Sequence, residues 1–227
     1  MDIKLNYIEK GTGFPLILLH GNGENLSYFK HQIEYFSNKY RVIAIDTRGH
    51  GDSKRGSAPF RIHQFAQDLH DFMEEMQIDK AHLLGFSDGG NIALVFTLKY
   101  QQKVERLILN GANLNQRGVK AKIQIPIVIG YYIASMFAKR SEEAKRKSEM
   151  LGLMVNDPNI PVTELSKITV PTLVIAGTND MIKEKHTRMI QEHMKDSKLR
   201  LLEGDHFIAN QKYTEFNKVV EKFLEER

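Results

Sequence analysis

In Gly85-Phe86-Ser87-Asp88-Gly89-Gly90 a serine has glycine two residues before it and two residues after it. The segment follows the apolar pair Leu83-Leu84 directly and precedes Ile92, Ala93, Leu94, Val95 and Phe96, which sets it at a turn from strand into helix. A nucleophile on so tight a turn has strained backbone angles, and bulk at either flanking position would collide with the opposite limb. Gly85 and Gly89 meet that demand. The turn lifts the Ser87 hydroxyl above the sheet and points the first helix amides, that of Asp88 among them, at the place where an oxyanion would form. Short glycine-serine strings also occur in loops; the strand before and the helix after give this one its meaning.

A serine hydroxyl is a weak nucleophile until a base removes its proton, so a histidine and an orienting acid are required. Of nine histidines, His206 is best placed: it follows Leu201-Leu202-Glu203-Gly204-Asp205, just past an apolar strand, and precedes the last helical segment. His20 also ends a strand, but in His20-Gly21-Asn22-Gly23 the glycine-rich turn suits a backbone oxyanion donor better than a proton carrier. His31, His63, His70, His186 and His193 fall on helical stretches and read as surface residues, His82 opens a strand, and His50 sits in a turn. For the acid, Asp180 closes the turn Ala176-Gly177-Thr178-Asn179-Asp180 beyond a strand. Asp205 is the rival, disfavoured because adjacent side chains in a loop usually diverge. Asp52 and Asp157 lie in turns, where a local Asx role is the simpler account.

These residues need a frame that brings strand ends together. Pro15 to His20, Arg41 to Asp46, Ala81 to Gly85, Val104 to Leu109, Thr172 to Ala176 and Leu199 to Leu202 are short apolar runs of strand length, and an opening strand alternates Ile3, Leu5 and Tyr7 with polar residues. Helix-period segments lie between them, over Leu26 to Phe36, Ile62 to Met76, Asn91 to Tyr100, Lys183 to Met194 and Tyr213 to Leu224. Alternation of this kind predicts a mostly parallel sheet with helices on both faces. Residues 113 to 168 break it, with two or three helical stretches and no apolar strand. The expected organisation is therefore a core of residues 1–112 and 169–227 with a helical insertion, 113–168, lying as a lid over the crevice at the strand ends. Within it, Ile123 to Phe137 is too apolar to face water, and Tyr131, Tyr132 and Phe137 are expected to wall the substrate pocket; the competing account is that the segment packs against a partner subunit or touches a membrane surface, for which a large exposed apolar area would be the mark. The mixed-charge run Lys139 to Glu149 reads as a solvated helix face.

Length and composition exclude several classes. A chain of 227 residues suits one domain, and 41% hydrophobic with 26% charged residues matches a soluble globular protein. The net charge of +4 is spread over 32 basic and 28 acidic side chains with no basic stripe, so nucleic acid is not expected as a partner. Cysteine is absent, which removes disulfides and thiolate metal sites and fits a reducing, cytoplasmic setting. The N-terminal residues show no secretory h-region, and the apolar stretch 123–138 is too interrupted to cross a bilayer, so no membrane partner is expected. No His, Asp and Glu cluster has metal-ligand spacing, and neither a metal nor an organic cofactor is expected.

The chain order Ser87, Asp180, His206, the loop His20-Gly21-Asn22-Gly23 and the stretch Asp46-Thr47-Arg48-Gly49-His50-Gly51-Asp52-Ser53 together resemble the α/β-hydrolase superfamily. The resemblance covers nearly the whole chain except 113–168. It implies a sheet of about seven strands with a lid after the sixth, and an oxyanion hole formed by the amides of Asn22 and Asp88. It also implies that Asn113 stands where some members carry the acid; being uncharged, it leaves Asp180 favoured. The Ser-Asp-Gly-Gly elbow is similar to that of biphenyl-hydrolase-like members. Asp88 either faces the pocket, where it would pair with a substrate ammonium, or points away and sits at the positive end of its helix; the second is the simpler reading. Only one strand precedes Pro15, so an edge strand common in the family is missing or very short.

The expected function is hydrolysis of small-molecule carboxylic esters through an acyl-enzyme. Carbon–carbon bond hydrolysis and a cofactor-free peroxidase-like activity reuse the same residues on this fold, and a ligand-binding protein without turnover remains an alternative from another class. Oligomeric state is not legible.

Overall fold

The computed structural model describes residues 2–226. Seven strands form one sheet: β1 (Tyr7–Lys10), β2 (Pro15–Leu19), β3 (Arg41–Ile45), β4 (Ala81–Phe86), β5 (Val104–Asn110), β6 (Thr172–Gly177) and β7 (Ser197–Leu202), in the order β1-β3-β2-β4-β5-β6-β7. β1 runs antiparallel to β3, and every other pair is parallel. β4, which leads into Ser87, is the central strand.

Successive strand residues point to opposite faces, and both faces are covered. Ile17, Leu19, Leu83, Leu107 and Leu109 join one apolar cluster, packed beneath α2 (Ile62–Glu75) and α3 (Asp88–Tyr100). Leu16, Leu18, Leu84 and Ile108 join the other, beneath α1 (Lys30–Phe36) and α8 (Tyr213–Leu224). This explains why the strands read as continuous apolar runs. α6 (Glu184–Glu192) joins β6 to β7, the short α7 (Ile208–Gln211) follows β7, and α4 (Ala121–Phe137) and α5 (Glu142–Asn156) lie between β5 and β6.

Boundaries moved where local hydrogen bonding overrode periodicity. The segment from Leu26 begins as a 3-10 turn over Leu26–Phe29, because the Asn25 side chain accepts from the Ser27 amide, and the α-helix starts only at Lys30. The opening strand starts at Tyr7 rather than Ile3, with Leu5 sunk into the core and the Asn6 side chain bonded to Asp46. The inserted helices follow the fifth strand in chain order, not the sixth. The count of six presumed the family's extra edge strand, which is absent among the described residues.

Residues 113–168 are not a detached unit. Leu114, Leu153, Ile160, Leu165 and Ile168 are part of the α2/α3 core cluster. Two ion pairs hold α5 to the core, Arg55 to Glu149 at 2.7 Å and Arg61 to Asp157 at 2.6 Å. α4 in turn packs on α5 through small residues: a Cβ at Gly130 would stand 3.2 Å from Leu151, and one at Gly152 would stand 3.3 Å from Tyr131.

Candidate active site

Ser87 has φ 53° and ψ −119°, a conformation that side chains rarely adopt and that central packing imposes here. Its amide donates to the Asn110 carbonyl at 2.8 Å, pinning the turn to the neighbouring strand end. The glycines around it are steric necessities. A Cβ at Gly89 would run into the Leu19 carbonyl, and one at Gly85 into the Gly89 carbonyl. β4 can thus lie against β2 while α3 departs at once from the same point.

The structure brings Ser87, His206 and Asp180 together from three different strand ends. His206 Nε2 lies 3.0 Å from Ser87 Oγ, and His206 Nδ1 lies 2.7 Å from Asp180 Oδ1. Asp180 Oδ1 also accepts the Ile182 amide at 2.8 Å, which fixes the carboxylate plane. His206 and Asp180 are buried, whereas Ser87 is partly open to solvent. Phe86 packs against the imidazole, ring centroids 4.8 Å apart. Gly111 has φ +64°, and a Cβ there would stand 2.7 Å from His206 Cε1, so the loop after β5 has no room for a side chain beside the imidazole.

Asp205 turns the other way: its carboxylate accepts the Phe207 amide at 2.8 Å and the Gln211 side chain at 3.2 Å, closing the first turn of α7. Asn113 does not approach His206 by any hydrogen bond. Its amide and side chain bond to Asn91, at 2.9 and 3.2 Å, and to the Asn115 carbonyl.

The loop after β2 lies against the nucleophile, for a Cβ on Gly21 would come within 3.2 Å of Ser87 Cβ. His20 fixes this loop, a role its neighbouring glycines obscured in the sequence. Its Nε2 accepts the Thr47 amide at 3.0 Å, which leaves Nδ1 protonated in the neutral ring and donating to the Gly21 carbonyl at 2.8 Å. Burial pushes the His20 pKa down to about 4, so the ring stays neutral and this bonding pattern holds near neutral pH. Asn22 donates its side-chain amide to the Met150 carbonyl of α5 at 2.8 Å, tying the loop to the inserted helices.

Asp88 is the first residue of α3, at the helix's positive end. Its carboxyl is buried; Oδ1 accepts from Asn91 at 3.0 Å, and Oδ2 is sealed from solvent without a hydrogen-bond partner. Burial raises its pKa to about 6. In this conformation the side chain is not presented to a solvent-filled pocket.

A cleft of about 550 Å³ opens beside the site, bounded by Gly23, Glu24, Tyr28, Lys30, Phe207 and Gln211. Glu24 there is half-buried with its pKa raised by desolvation. No residue of α4 lines this cleft. Tyr132 and Phe137 are exposed on the outer surface, and Tyr131 packs against α5 at Gly152. The apolar stretch forms a helix with solvent on one side and α5 on the other, where Gln124 donates to the Met154 carbonyl and Tyr131 packs on Gly152. His186, expected at the surface, is buried and accepts the Leu114 amide at 3.0 Å. Asp157, expected in an Asx turn, is instead the buried partner of Arg61. Among the described residues, no three His, Asp or Glu side chains converge as a metal site would require.

A family profile described as the alpha/beta hydrolase fold matches residues 15–127. The chain is 28% identical to the human protein named serine hydrolase BPHL, over 98% of this chain and 84% of that one. It is 27% identical to 3-oxoadipate enol-lactonase 2 of Acinetobacter baylyi, over 98% of this chain and 94% of the relative. Among solved structures, the enol-lactonase from Burkholderia xenovorans LB400 superposes with a TM-score of 0.83 at 21% identity, over 99% of this chain and 97% of that one.

The chain belongs to the α/β-hydrolase superfamily. Its match to the family profile begins at β2 and ends within α4, so it takes in the strands that carry the His20 loop and the Ser87 turn. Asp180 and His206 lie beyond the profile match, and it is the fold that returns them to the serine. No helix among the described residues is long and apolar enough to cross a membrane.

Proposed function

We propose that the protein hydrolyses small-molecule carboxylic esters, lactones included, through an acyl-serine intermediate, with Ser87 as nucleophile, His206 as general base and Asp180 as the orienting acid. The observation that carries this reading is the hydrogen-bonded chain Ser87 Oγ, His206 Nε2, His206 Nδ1, Asp180 Oδ1, with steps of 3.0 and 2.7 Å. Ser87 Oγ attacks the carbonyl carbon as its proton passes to His206 Nε2. The imidazolium so formed is stabilised by Asp180, and the oxyanion is met by the backbone amides of Asn22 and Asp88. Collapse of the tetrahedral species breaks the bond to the leaving oxygen, which takes the proton from His206 and departs as the alcohol or, from a lactone, stays tethered as the hydroxyl of a hydroxyacyl-serine. Water then repeats the sequence on the acyl-serine, releasing the acid and restoring Ser87. Every proton is carried by a residue of the chain, so the reaction as written calls for neither metal nor cofactor.

Two features of the surroundings support the roles. The loop bearing Asn22 is clamped against Ser87 by the neutral His20, so its amide can be held in place before substrate arrives. The polar cleft adjoins the His206 loop, with Phe207 in its wall and Glu24 within electrostatic reach of His206. The test is labelling by a fluorophosphonate probe, with the modified residue located by peptide mass, alongside turnover of p-nitrophenyl esters of increasing acyl length. Labelling confined to Ser87 together with ester turnover supports the reading. A labelled Ser87 without turnover of any ester or lactone would move the assignment to another chemistry of this fold, and an unlabelled Ser87 would refute an activated serine.

A further inference from the structure

The outer face of α4 is an apolar stripe with nothing on it. Ile125, Ile129, Tyr132, Ile133, Met136 and Phe137 are between 50% and 71% exposed, and their spacing along α4 puts them on one side of the helix. A contiguous exposed patch of this kind is uncommon on a monomer and marks a contact surface. A groove of about 440 Å³ opens along the same hairpin, between Ile133, Ala134 and Phe137 of α4 and Ala144 and Lys147 of α5.

Charge identifies what the stripe meets. Residues 120–147 hold seven of the chain's 32 basic side chains and only two of its 28 acidic ones, a net of +5 against +4 for the whole protein. The remainder of the molecule is close to neutral, so the excess of positive charge is not spread evenly, as the sequence suggested, but flanks the exposed stripe. Lys122 lies at one end of the helix, Lys139 and Arg140 at the other, and Lys145, Arg146 and Lys147 on the helix beside it, all exposed. A symmetric contact with a second copy would set these cations against their own counterparts. An anionic lipid surface would attract them while taking up the apolar stripe.

We propose that α4 docks the protein on anionic phospholipid, lying in the plane of the headgroups with Ile125, Ile129, Met136 and Phe137 immersed and the flanking lysines and arginines at the phosphates. This is surface docking rather than insertion across the bilayer, for which α4 is too short. α5 is bolted to the core by the Arg55–Glu149 pair, and Met150 bonds to Asn22, so docking through the hairpin fixes the orientation of the Ser87 cleft relative to the lipid. No membrane partner is expected from the sequence because the apolar stretch is too interrupted to cross a bilayer, a criterion that surface docking does not have to meet. The inference holds whether or not the chemistry proposed above is correct.

The test is co-sedimentation with vesicles of phosphatidylglycerol mixed into phosphatidylcholine, against vesicles of phosphatidylcholine alone. The chain contains no tryptophan, so Tyr132→Trp adds a single reporter whose emission shifts to the blue on immersion. Expected are binding to anionic vesicles only, a blue shift in their presence, and loss of binding by about tenfold or more in Lys139→Glu/Arg140→Glu and at high salt. The apolar triple variant Ile125→Ser/Ile129→Ser/Met136→Ser should lose binding to a similar degree. Its unfolding temperature and its labelling by the fluorophosphonate probe report whether it is folded. Failure of the unaltered protein to bind anionic vesicles, or an unshifted indole emission from the vesicle-bound Tyr132→Trp variant, overturns the proposal. So does a dimer in solution that the triple variant converts to monomer without vesicle binding, which would assign the stripe to a second copy.

Discussion

Asp88→Asn isolates the cost of burying a carboxyl beside the nucleophile. Asp88 lies under the elbow with one oxygen bonded to Asn91 and the other unpartnered, and burial lifts its pKa from 3.8 to about 6. The native state therefore binds more protons than the unfolded chain between roughly pH 4 and 6, so stability declines as pH rises through that window and stays lower above it. For the shift from 3.8 to about 6 the full penalty is about 3 kcal/mol above the window. Of this, about 1.4 kcal/mol develops between pH 5 and pH 8. Asparagine has the same shape and no charge at any pH, but it sets an amide N–H where an oxygen now lacks a partner, at a cost of about 1 to 2 kcal/mol. The variant should thus be more stable than the parent at pH 8 by about 1 to 2 kcal/mol, with the advantage shrinking at pH 5 and reversing at lower pH. Urea denaturation of both proteins at pH 5 and pH 8 measures it. A difference between them that is the same at both pH values would refute a raised pKa at Asp88 and the desolvation argument with it.

Ser87→Ala should lower ester turnover by on the order of a thousandfold or more while leaving the unfolding midpoint near the parent value, because only the attacking oxygen is removed; undiminished turnover contradicts the nucleophile assignment. His206→Ala should be comparably damaging, and adding it to Ser87→Ala should cost little more, since the three residues act as a unit. Asp180→Asn should reduce kcat strongly and Asp205→Asn leave it within a few-fold, read from p-nitrophenyl ester kinetics; the opposite ranking would reassign the acid. Gly89→Ala should destabilise the fold by on the order of 3 kcal/mol, seen as a lowered unfolding midpoint, because its methyl has nowhere to go but the Leu19 carbonyl.

The sheet and the nucleophile turn were legible because both are written locally. Each of the five inner strands carries a short apolar run ended by glycine or a polar residue, and Gly85-Phe86-Ser87-Asp88-Gly89 carries its own steric requirement in the two glycines. Position beyond a strand also placed Asp180 and His206 among the candidates, since in an open parallel sheet the carboxyl ends of the strands share one edge. What the sequence could not decide was direction. Asp205 and Asp180 were separable in prospect only by a general argument about neighbouring side chains, and the actual reason is that Asp205 turns to close α7. His20 reads as one more strand-end histidine until the packing of β3 brings the Thr47 amide to its Nε2 and makes it the anchor of the Gly21 loop. The stretch Ile123 to Phe137 misled for the same reason: apolar composition states that a surface prefers not to meet water, but not which neighbour covers it. In the folded chain Gly130 and Ala134 turn toward α5, the bulky side chains turn outward, and the face assigned from composition to a pocket wall is the one left bare.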